Sequence, residues 1–194
     1  MNTDIQKLSQ IYSKVLTESA TQEYASDKTS RPQVAKVFKI PGLFKPNTRN
    51  ADIGGGKYDL GTEYLRTLGV TNIVTDKFNR PDEYNQEAQK EIDQNPTDTA
   101  TVNNVLNVIK EQSNREAVIR QAMKAIKPTG VAYFLVFEGW TNNGKVAGDG
   151  IGRETSMGWQ NYLKTQAYMP EVQKYFNDVV RKGTLIVARS PKYK

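Results

Sequence analysis

The chain contains neither cysteine nor histidine among its 194 residues. The lack of cysteine excludes disulfides and thiolate nucleophiles, and the lack of both excludes Cys/His metal sites and imidazole bases. Any chemistry must therefore use carboxylates, amides, hydroxyls, lysines or a bound cofactor, and we predict no metal site. There is no apolar run long enough to cross a bilayer and no signal-peptide pattern at the N-terminus. We therefore predict a cytoplasmic protein without a membrane partner; the sequence does not indicate an oligomeric state.

The charge is unevenly distributed along the chain. Lysine and arginine outnumber aspartate and glutamate by 27 to 21, a net charge of +6. Residues 28–49 carry no acidic residue and six basic ones: Lys28, Arg31, Lys36, Lys39, Lys45 and Arg49. With Phe38 and Phe44 interleaved, this basic segment could form a nucleic-acid groove or an ordinary solvated face. We favour the solvated face, since six charges over a long segment need not lie on one side.

Hydrophobic periodicity divides the chain into residues 1–49, an N-terminal helix and the basic segment, and residues 50–194, one α/β domain; the whole is a single globular unit. A helix is predicted at about 4–18, and "QVAKVFKI" is a short helix or strand. From residue 50, short β-branched or apolar runs alternate with helical patterns such as "DLGTEYLRTLG", which Gly69 can end. This order predicts an α/β fold with a doubly wound, mostly parallel sheet.

The last third of the chain has a different pattern. Residues 139–161 contain six glycines and both tryptophans, which predicts a long loop rather than a core element. After it, "PEVQKYFNDVV" can form a helix that starts at Pro170, and "KGTLIVARS" a final strand. Alternatively, a turn at Lys182-Gly183 joins "FNDVV" to that strand as a hairpin.

Three consecutive glycines, Gly54-Gly55-Gly56, follow the first predicted strand, where a doubly wound sheet binds ligands. A P-loop needs GxxxxGK[ST], and "GGGKYDLG" lacks both the spacing and the hydroxyl after lysine. A dinucleotide fingerprint would require glycine at position 59, where the chain has Asp59. These departures argue against a nicotinamide cofactor and against ATP or GTP bound by a P-loop.

The pattern Asp52-x-Gly54-x-Gly56, with Asp76 at the end of the next strand, resembles the class I S-adenosylmethionine-dependent methyltransferases. The segments "TATVNNVLNVI" and "AMKAIKPTGVAYFLV" resemble the family's fourth strand and its helix, turn and fifth strand. No clear third strand is visible between Asp76 and Thr99. The resemblance implies the Rossmann-like methyltransferase fold and S-adenosyl-L-methionine as the cofactor.

The resemblance also implies roles for individual residues. Asp52 and the glycine loop, including Gly55, would surround the methionine moiety, and Asp76 would accept hydrogen bonds from the ribose hydroxyls. Lys77 and Phe78 follow Asp76, and Phe78 is the candidate for stacking on adenine.

The candidates for the acceptor side are amides and loop residues. Asn103 is predicted to contact the cofactor, while Asn104 and Asn107 are the catalytic candidates; amides that bond only to backbone are about equally plausible. A lid or acceptor pocket would draw on the glycine-rich loop, through Trp140, Lys145, Asp149, Arg153, Trp159 and Gln160. The two tryptophans could equally anchor that loop to the core.

These observations favour an S-adenosylmethionine-dependent methyltransferase whose acceptor is unknown, with nucleic acid the leading acceptor class because of the charge. The lack of cysteine excludes the covalent cysteine route to methylated cytosine. One alternative is a catalytically inactive methyltransferase-like protein that binds through its basic surface, because no known acceptor motif is present. A second alternative is an NAD-dependent oxidoreductase.

Overall fold

A computed structural model describes residues 31–139, 145–146, 152–156 and 158–193. The predicted helix at 4–18 and Trp140 lie outside these residues. The described helices are α1 (Leu60–Thr67), α2 (Asp82–Gln94), α3 (Gln112–Ala125) and α4 (Met169–Gln173), with short 3-10 turns at Lys36–Lys39, Leu106–Val108 and Thr165–Tyr168. The strands are β1 (Thr48–Ile53), β2 (Val70–Thr75), β3 (Thr97–Asn103), β4 (Ile126–Leu135), β5 (Lys145–Val146), β6 (Gly152–Thr155), β7 (Gly158–Asn161), β8 (Phe176–Lys182) and β9 (Leu185–Pro191).

Six of the strands form the central sheet, in the order β2-β1-β3-β4-β9-β8. The first four are parallel, β9 is antiparallel to β4, and β8 is antiparallel to β9. Strands β5, β6 and β7 make a separate antiparallel sheet. The prediction of an α/β fold with a mostly parallel sheet is confirmed, and α2 leads directly to β3 with no further strand between them.

The two faces of the sheet are built by the alternation of side chains along β1. Ala51 and Ile53 point into an apolar core shared with buried residues of α2 and α3, such as Ile92 and Ile119. Asn50 and Asp52 occupy the opposite face and are also buried. Because the carboxyl ends of β1 to β4 lie at one edge, the loops that follow these strands meet there.

On that opposite face, the residues before β1 pack onto the sheet. Val37 and Phe38 are 1% and 2% exposed and belong to a second apolar cluster with Leu65 of α1. Phe38 meets Phe44 edge-on at 5.7 Å between ring centroids, and Phe44 meets Tyr133 of β4 at 6.0 Å. Phe38 is buried in this cluster and Phe44 packs against it, so the two rings contact the core. Within "QVAKVFKI", Lys36–Lys39 form a 3-10 turn.

In the last third, one of two alternatives is excluded and one prediction was wrong. The helix that begins near Pro170 ends at Gln173, and "FNDVV" belongs to β8, so the hairpin alternative is correct. Gly183 supplies the turn with a φ of 62°, and pairing with β9 satisfies the backbone groups on that side of β8. The glycine-rich segment predicted as a loop contains β5, β6 and β7, and Gly152 of β6 leaves room for the indole of Trp159.

The strand predicted over "TATVNNVLNVI" is shorter than expected. It ends at Asn103, and Asn104 adopts a φ of 52°, which interrupts an extended strand and which asparagine tolerates better than most residues. A 3-10 turn follows. Among the described helices, none combines the length and the apolar character needed to cross a membrane.

Candidate functional site at the carboxyl edge of the sheet

The glycine loop after β1 is held against the end of β2. Gly54 has a φ of 71° and donates its N–H to the Thr75 carbonyl at 2.7 Å. Gly56, with a φ of 79°, donates its N–H to Oδ2 of Asp76 at 2.8 Å. The loop therefore requires glycine at both positions and is connected to the aspartate that follows β2.

The loop leaves no room for side chains on its inner surface. A Cβ built on Gly55 would lie 2.5 Å from Oδ2 of Asp52 and 2.8 Å from Cγ1 of Val74. A Cβ on Gly54 would lie 2.6 Å from Cγ2 of Val105, in the loop after β3. The backbone thus makes a close cradle between the ends of β1, β2 and β3.

Asp76 is 7% exposed and organises the loop after β2. Its Oδ1 accepts hydrogen bonds from the backbone of Phe78 and Asn79 and from the Asn79 side chain, at 2.9–3.0 Å. Within the described part of the chain, Gly56 is the donor found at Oδ2, and a carboxylate oxygen can accept a second hydrogen bond. The carboxylate that the sequence predicts to bind a ribose can therefore accept through Oδ2.

Arg80 joins the two loops, a role that sequence reasoning missed. Its Nε donates to the Gly56 carbonyl at 2.8 Å, and its Nη2 lies 2.7 Å from Oδ1 of Asp59. Asp59, the residue that disfavoured a dinucleotide fingerprint, thus binds the arginine that fixes the glycine loop. No local motif predicts this contact, because the two residues are 21 positions apart.

Asp52 lies beneath the glycine loop and is 5% exposed. Burial raises the pKa of this carboxyl to about 6. The hydrogen bond from the Thr101 hydroxyl and the nearby Arg80 lower the pKa, whereas the nearby Asp76 raises it. The Thr101 hydroxyl donates to Oδ1 of Asp52 at 2.8 Å. The site therefore contains a carboxyl that changes charge close to neutral pH.

The three asparagines after β3 are arranged differently from one another. The Asn103 amide lies close enough to Asp52 to favour its ionised form, yet among the described residues neither polar atom of the amide has a partner at hydrogen-bond geometry. Asn104 is exposed, and its backbone N–H donates to Leu135. Asn107 is 2% exposed and donates to Gln160 of β7 at 3.2 Å, while its Oδ1 has no donor within the described part of the chain.

The remaining candidates differ in their exposure. Phe78 is 43% exposed, with Nζ of Lys77 5.8 Å from its ring centroid. Arg153 lies 5.0 Å above the ring of Tyr162, and only the backbone of Lys145, in β5, is described. Trp159 is 5% exposed and donates its indole N–H to Asn161, an arrangement that corresponds to the anchoring role rather than to stacking on a ligand.

The donor set fits a cofactor that has a vicinal diol at one end and an amino-acid group at the other. Asp76 has an acceptor for a hydroxyl, Asp52 offers a carboxylate to a cation, and the Asn103 amide has a donor and an acceptor with no partner at hydrogen-bond geometry among the described residues. The described residues contain no group of three or more acidic side chains placed to hold a metal ion.

No protein-family model matches the chain, and no curated protein matches its sequence. Solved structures do match. One is 1,6-didemethyltoxoflavin-N1-methyltransferase of Burkholderia thailandensis, bound to 1,6-didemethyltoxoflavin and S-adenosylhomocysteine; it aligns over 94% of this chain and 90% of its own, with a TM-score of 0.54 and 18% identity.

Two further structures are similar at lower identity. An O-methyltransferase family protein from B. thailandensis aligns over 82% of this chain and 55% of its own, with a TM-score of 0.51 and 14% identity. A chain from the complex of the Haloferax volcanii Trm112 methyltransferase activator with a putative methyltransferase aligns over 95% and 97%, with a TM-score of 0.50 and 10% identity. The chain therefore has the fold of the class I S-adenosylmethionine-dependent methyltransferases.

Proposed function

We propose that the chain binds S-adenosyl-L-methionine at the carboxyl edge of the sheet and transfers its methyl group to an acceptor. The observation that carries the proposal is the closed contact between the glycine loop and Asp76, with Asp52 buried beneath the loop. The fold alone would allow other ligands; the two carboxylates and the close backbone approach suit an adenosyl sulfonium compound, which has no pyrophosphate to bind.

Each residue has a defined task in this proposal. Asp76 accepts a ribose hydroxyl through Oδ2, and the exposed Phe78 ring stacks on adenine beside Lys77. Asp52 attracts the cationic end of the methionine moiety, and the Asn103 amide bonds to its amino-acid group. The glycine loop, fixed by Arg80, permits the close approach.

Bound S-adenosylmethionine supplies an electrophilic methyl group. The chain's own contribution is orientation, since an in-line displacement gains most of its acceleration from the placement of the reacting groups. We propose that Asn104 and Asn107 face the acceptor, and that Oδ1 of Asn107 receives an N–H or O–H from it. Arg153 and the segment with Trp140, Lys145 and Trp159 would border the acceptor pocket. We propose that the protein acts in the cytoplasm. Nucleic acid is the proposed acceptor class, because a net charge of +6 favours a polyanionic partner.

Cofactor binding is tested by calorimetry with S-adenosylmethionine and S-adenosylhomocysteine. The parent chain should bind both, and Asp76→Ala should weaken binding at least tenfold because a charge-assisted hydrogen bond is lost. Asp93→Ala, an exposed aspartate of α2, is the matched control and should bind like the parent. No binding by the parent, or equal binding by Asp76→Ala, would contradict the proposal.

The acceptor is tested by transfer of a radiolabelled methyl group to DNA, RNA, protein and 1,6-didemethyltoxoflavin, the ligand bound in the Burkholderia enzyme. Transfer to DNA or RNA would support the nucleic-acid class. Salt-sensitive retention on DNA without transfer would instead support a binding protein that has lost catalysis. Transfer only to the other acceptors would eliminate nucleic acid.

A further inference from the structure

A row of buried polar side chains crosses the sheet beneath α1 and ends at Asp52. Its central member is Asn50, which is fully buried. Because β1, β2 and β3 are parallel and in register, Asn50 lies opposite Asn72 and Thr99, and Asp52 lies opposite Thr101. These pairs point to one face, so the polar groups meet where apolar side chains would be expected.

The hydrogen bonds in this row have a fixed direction. Nδ2 of Asn50 donates to Oδ1 of Asn72 at 2.7 Å and to Oγ1 of Thr101 at 3.0 Å. Oδ1 of Asn50 accepts the hydroxyl of Thr99 at 2.8 Å. The orientation of the amide follows from the ionised Asp52, which can only accept: Thr101 donates to Asp52 and takes its own hydrogen bond from Nδ2 of Asn50. Nδ2 of Asn72 in turn donates to Thr62 of α1 at 2.9 Å.

The direction matters at Thr101. Its hydroxyl oxygen accepts from Asn50, and a hydroxyl has a single proton to give. That proton is donated to Oδ1 of Asp52 at 2.8 Å. Asn50 therefore orients Thr101, and Thr101 supplies a neutral donor that favours the ionised form of Asp52. The charged groups that act on Asp52 are Asp76, which opposes ionisation, and Arg80, which favours it.

We infer that Thr101, oriented by Asn50, is a positioning residue that keeps Asp52 ionised at neutral pH and so lets its charge set the affinity for the amino-acid end of the cofactor. This inference depends on the proposed function, because it assigns a control to the same site. A purely structural Thr101 would change affinity equally at every pH, whereas a residue that controls ionisation changes the pH profile.

The test is calorimetry with S-adenosylhomocysteine between about pH 5 and 8. The parent's affinity should fall as pH decreases through about 6, where Asp52 becomes neutral. In Thr101→Val the midpoint should move up by about one pH unit, since a hydrogen bond to the charged form is lost. Thr101→Ser keeps the hydroxyl and should restore the parent profile. Thr99→Val removes a neighbouring bond to Asn50 but leaves the donor to Asp52, so it should also behave like the parent.

A second ligand separates charge from folding. 5′-Methylthioadenosine has the adenosine but no amino-acid group, so its affinity should stay constant across the same pH range. An equal pH dependence for both ligands in the parent would overturn the inference without any variant. An unshifted midpoint in Thr101→Val would also overturn it, as would a uniform loss of affinity at all pH values. If the parent binds 5′-methylthioadenosine but not S-adenosylhomocysteine, the inference is likewise wrong; if it binds neither, the proposed function itself fails.

Discussion

Gly55 is the loop residue at which an added side chain would contact Asp52, a residue of the site, directly. A methyl group there would lie 2.5 Å from Oδ2 of Asp52 and 2.8 Å from Val74, so both must move. We expect Gly55→Ala to lower the free energy of unfolding by about 1–3 kcal/mol, as overpacking does. We also expect the dissociation constant for S-adenosylhomocysteine to rise roughly tenfold, which corresponds to a loss of about 1.4 kcal/mol of binding free energy. Urea unfolding and calorimetry measure the two effects.

Gly183 provides the control for this substitution. Its φ is 62°, but no atom lies within 4 Å of a Cβ built there, and it lies in the β8–β9 turn. Gly183→Ala should therefore cost about 1 kcal/mol of backbone strain without changing cofactor affinity. Normal binding by Gly55→Ala would show that the loop is not the cofactor cradle.

The residues of the site differ in how far the sequence predicts them. Asp52, the three glycines and Asp76 follow from a local pattern, because a strand end and its turn are contiguous in the chain. Strand register and loop contacts determine the roles of Asn50, Thr101 and Arg80, and these contacts join residues 20 or more positions apart in the chain. Periodicity predicts that a residue is buried, but it does not predict its partner on another strand.

The same limit applies to elements. The stretch "PEVQKYFNDVV" has an apolar spacing that suits both a helix and a strand. Its second half forms β8 because it pairs with the edge of β9. The parallel strands were predicted more successfully because β-branched runs followed by helical patterns allow few other arrangements.

Elements α3 and α4 are joined by a buried ion pair. Nη2 of Arg115 lies 2.7 Å from Oε1 of Glu171, and both side chains are less than 10% exposed. Nη1 of the same arginine donates to the carbonyls of Ile109 and Lys110, just after the turn that carries Asn107. Arg115→Met should cost about 3–5 kcal/mol in urea unfolding, because Glu171 is left charged, buried and unpaired.

A double variant and an exposed pair test that explanation. Adding Glu171→Gln to Arg115→Met should recover part of the loss, since no charge then remains buried. Arg189→Met breaks an exposed pair with Asp178 and should cost less than about 1 kcal/mol. A double variant less stable than Arg115→Met would contradict the assignment of the loss to the uncompensated carboxylate.

The small sheet of β5, β6 and β7 depends on the packing of Trp159. A Cβ on Gly152 would lie 1.8 Å from Cζ2 of this indole, so Gly152→Ala must displace the ring. In a Trp140→Phe background Trp159 is the one remaining tryptophan, and its fluorescence should shift to longer wavelength as the ring becomes exposed. Gly42→Ala, with open space at its Cβ, should leave the spectrum unchanged. An unshifted spectrum in Gly152→Ala would mean that β6 and β7 do not pack in this way.

At the scale of the whole molecule, the buried carboxylate of Asp52 lowers the free energy of unfolding. The pKa of Asp52 is about 6 in the folded chain and 3.8 in the absence of burial. Between these values the folded chain binds a proton that the unfolded chain has released, so the free energy of unfolding decreases as pH rises from 4 to 6. The full cost, about 3 kcal/mol for a pKa raised from 3.8 to about 6, is present above pH 6.

Glu138 acts in the opposite direction but in another pH range. The backbone N–H of Thr165 and the Lys164 ammonium hold its pKa at about 2, below its ordinary 4.5, so its stabilisation is complete above 4.5 and lost below. Among the described carboxyls with a shifted pKa, Asp52 is the one that titrates between pH 4.5 and 6, since the others are lowered. Without ligand, the parent should lose stability as pH rises through this interval, when followed by urea unfolding.

Asp52→Asn removes the group that titrates and should flatten this slope. The variant should be more stable than the parent at pH 7, because a neutral amide replaces a buried charge, yet it should not bind S-adenosylhomocysteine tightly. Asp178→Asn, an exposed carboxylate on β8, should keep the parent's slope. A flat parent profile, or the same slope in Asp52→Asn, would mean that the buried charge is not at Asp52. A more stable variant that has lost its ligand would identify Asp52 as a carboxylate retained for binding at the expense of folding.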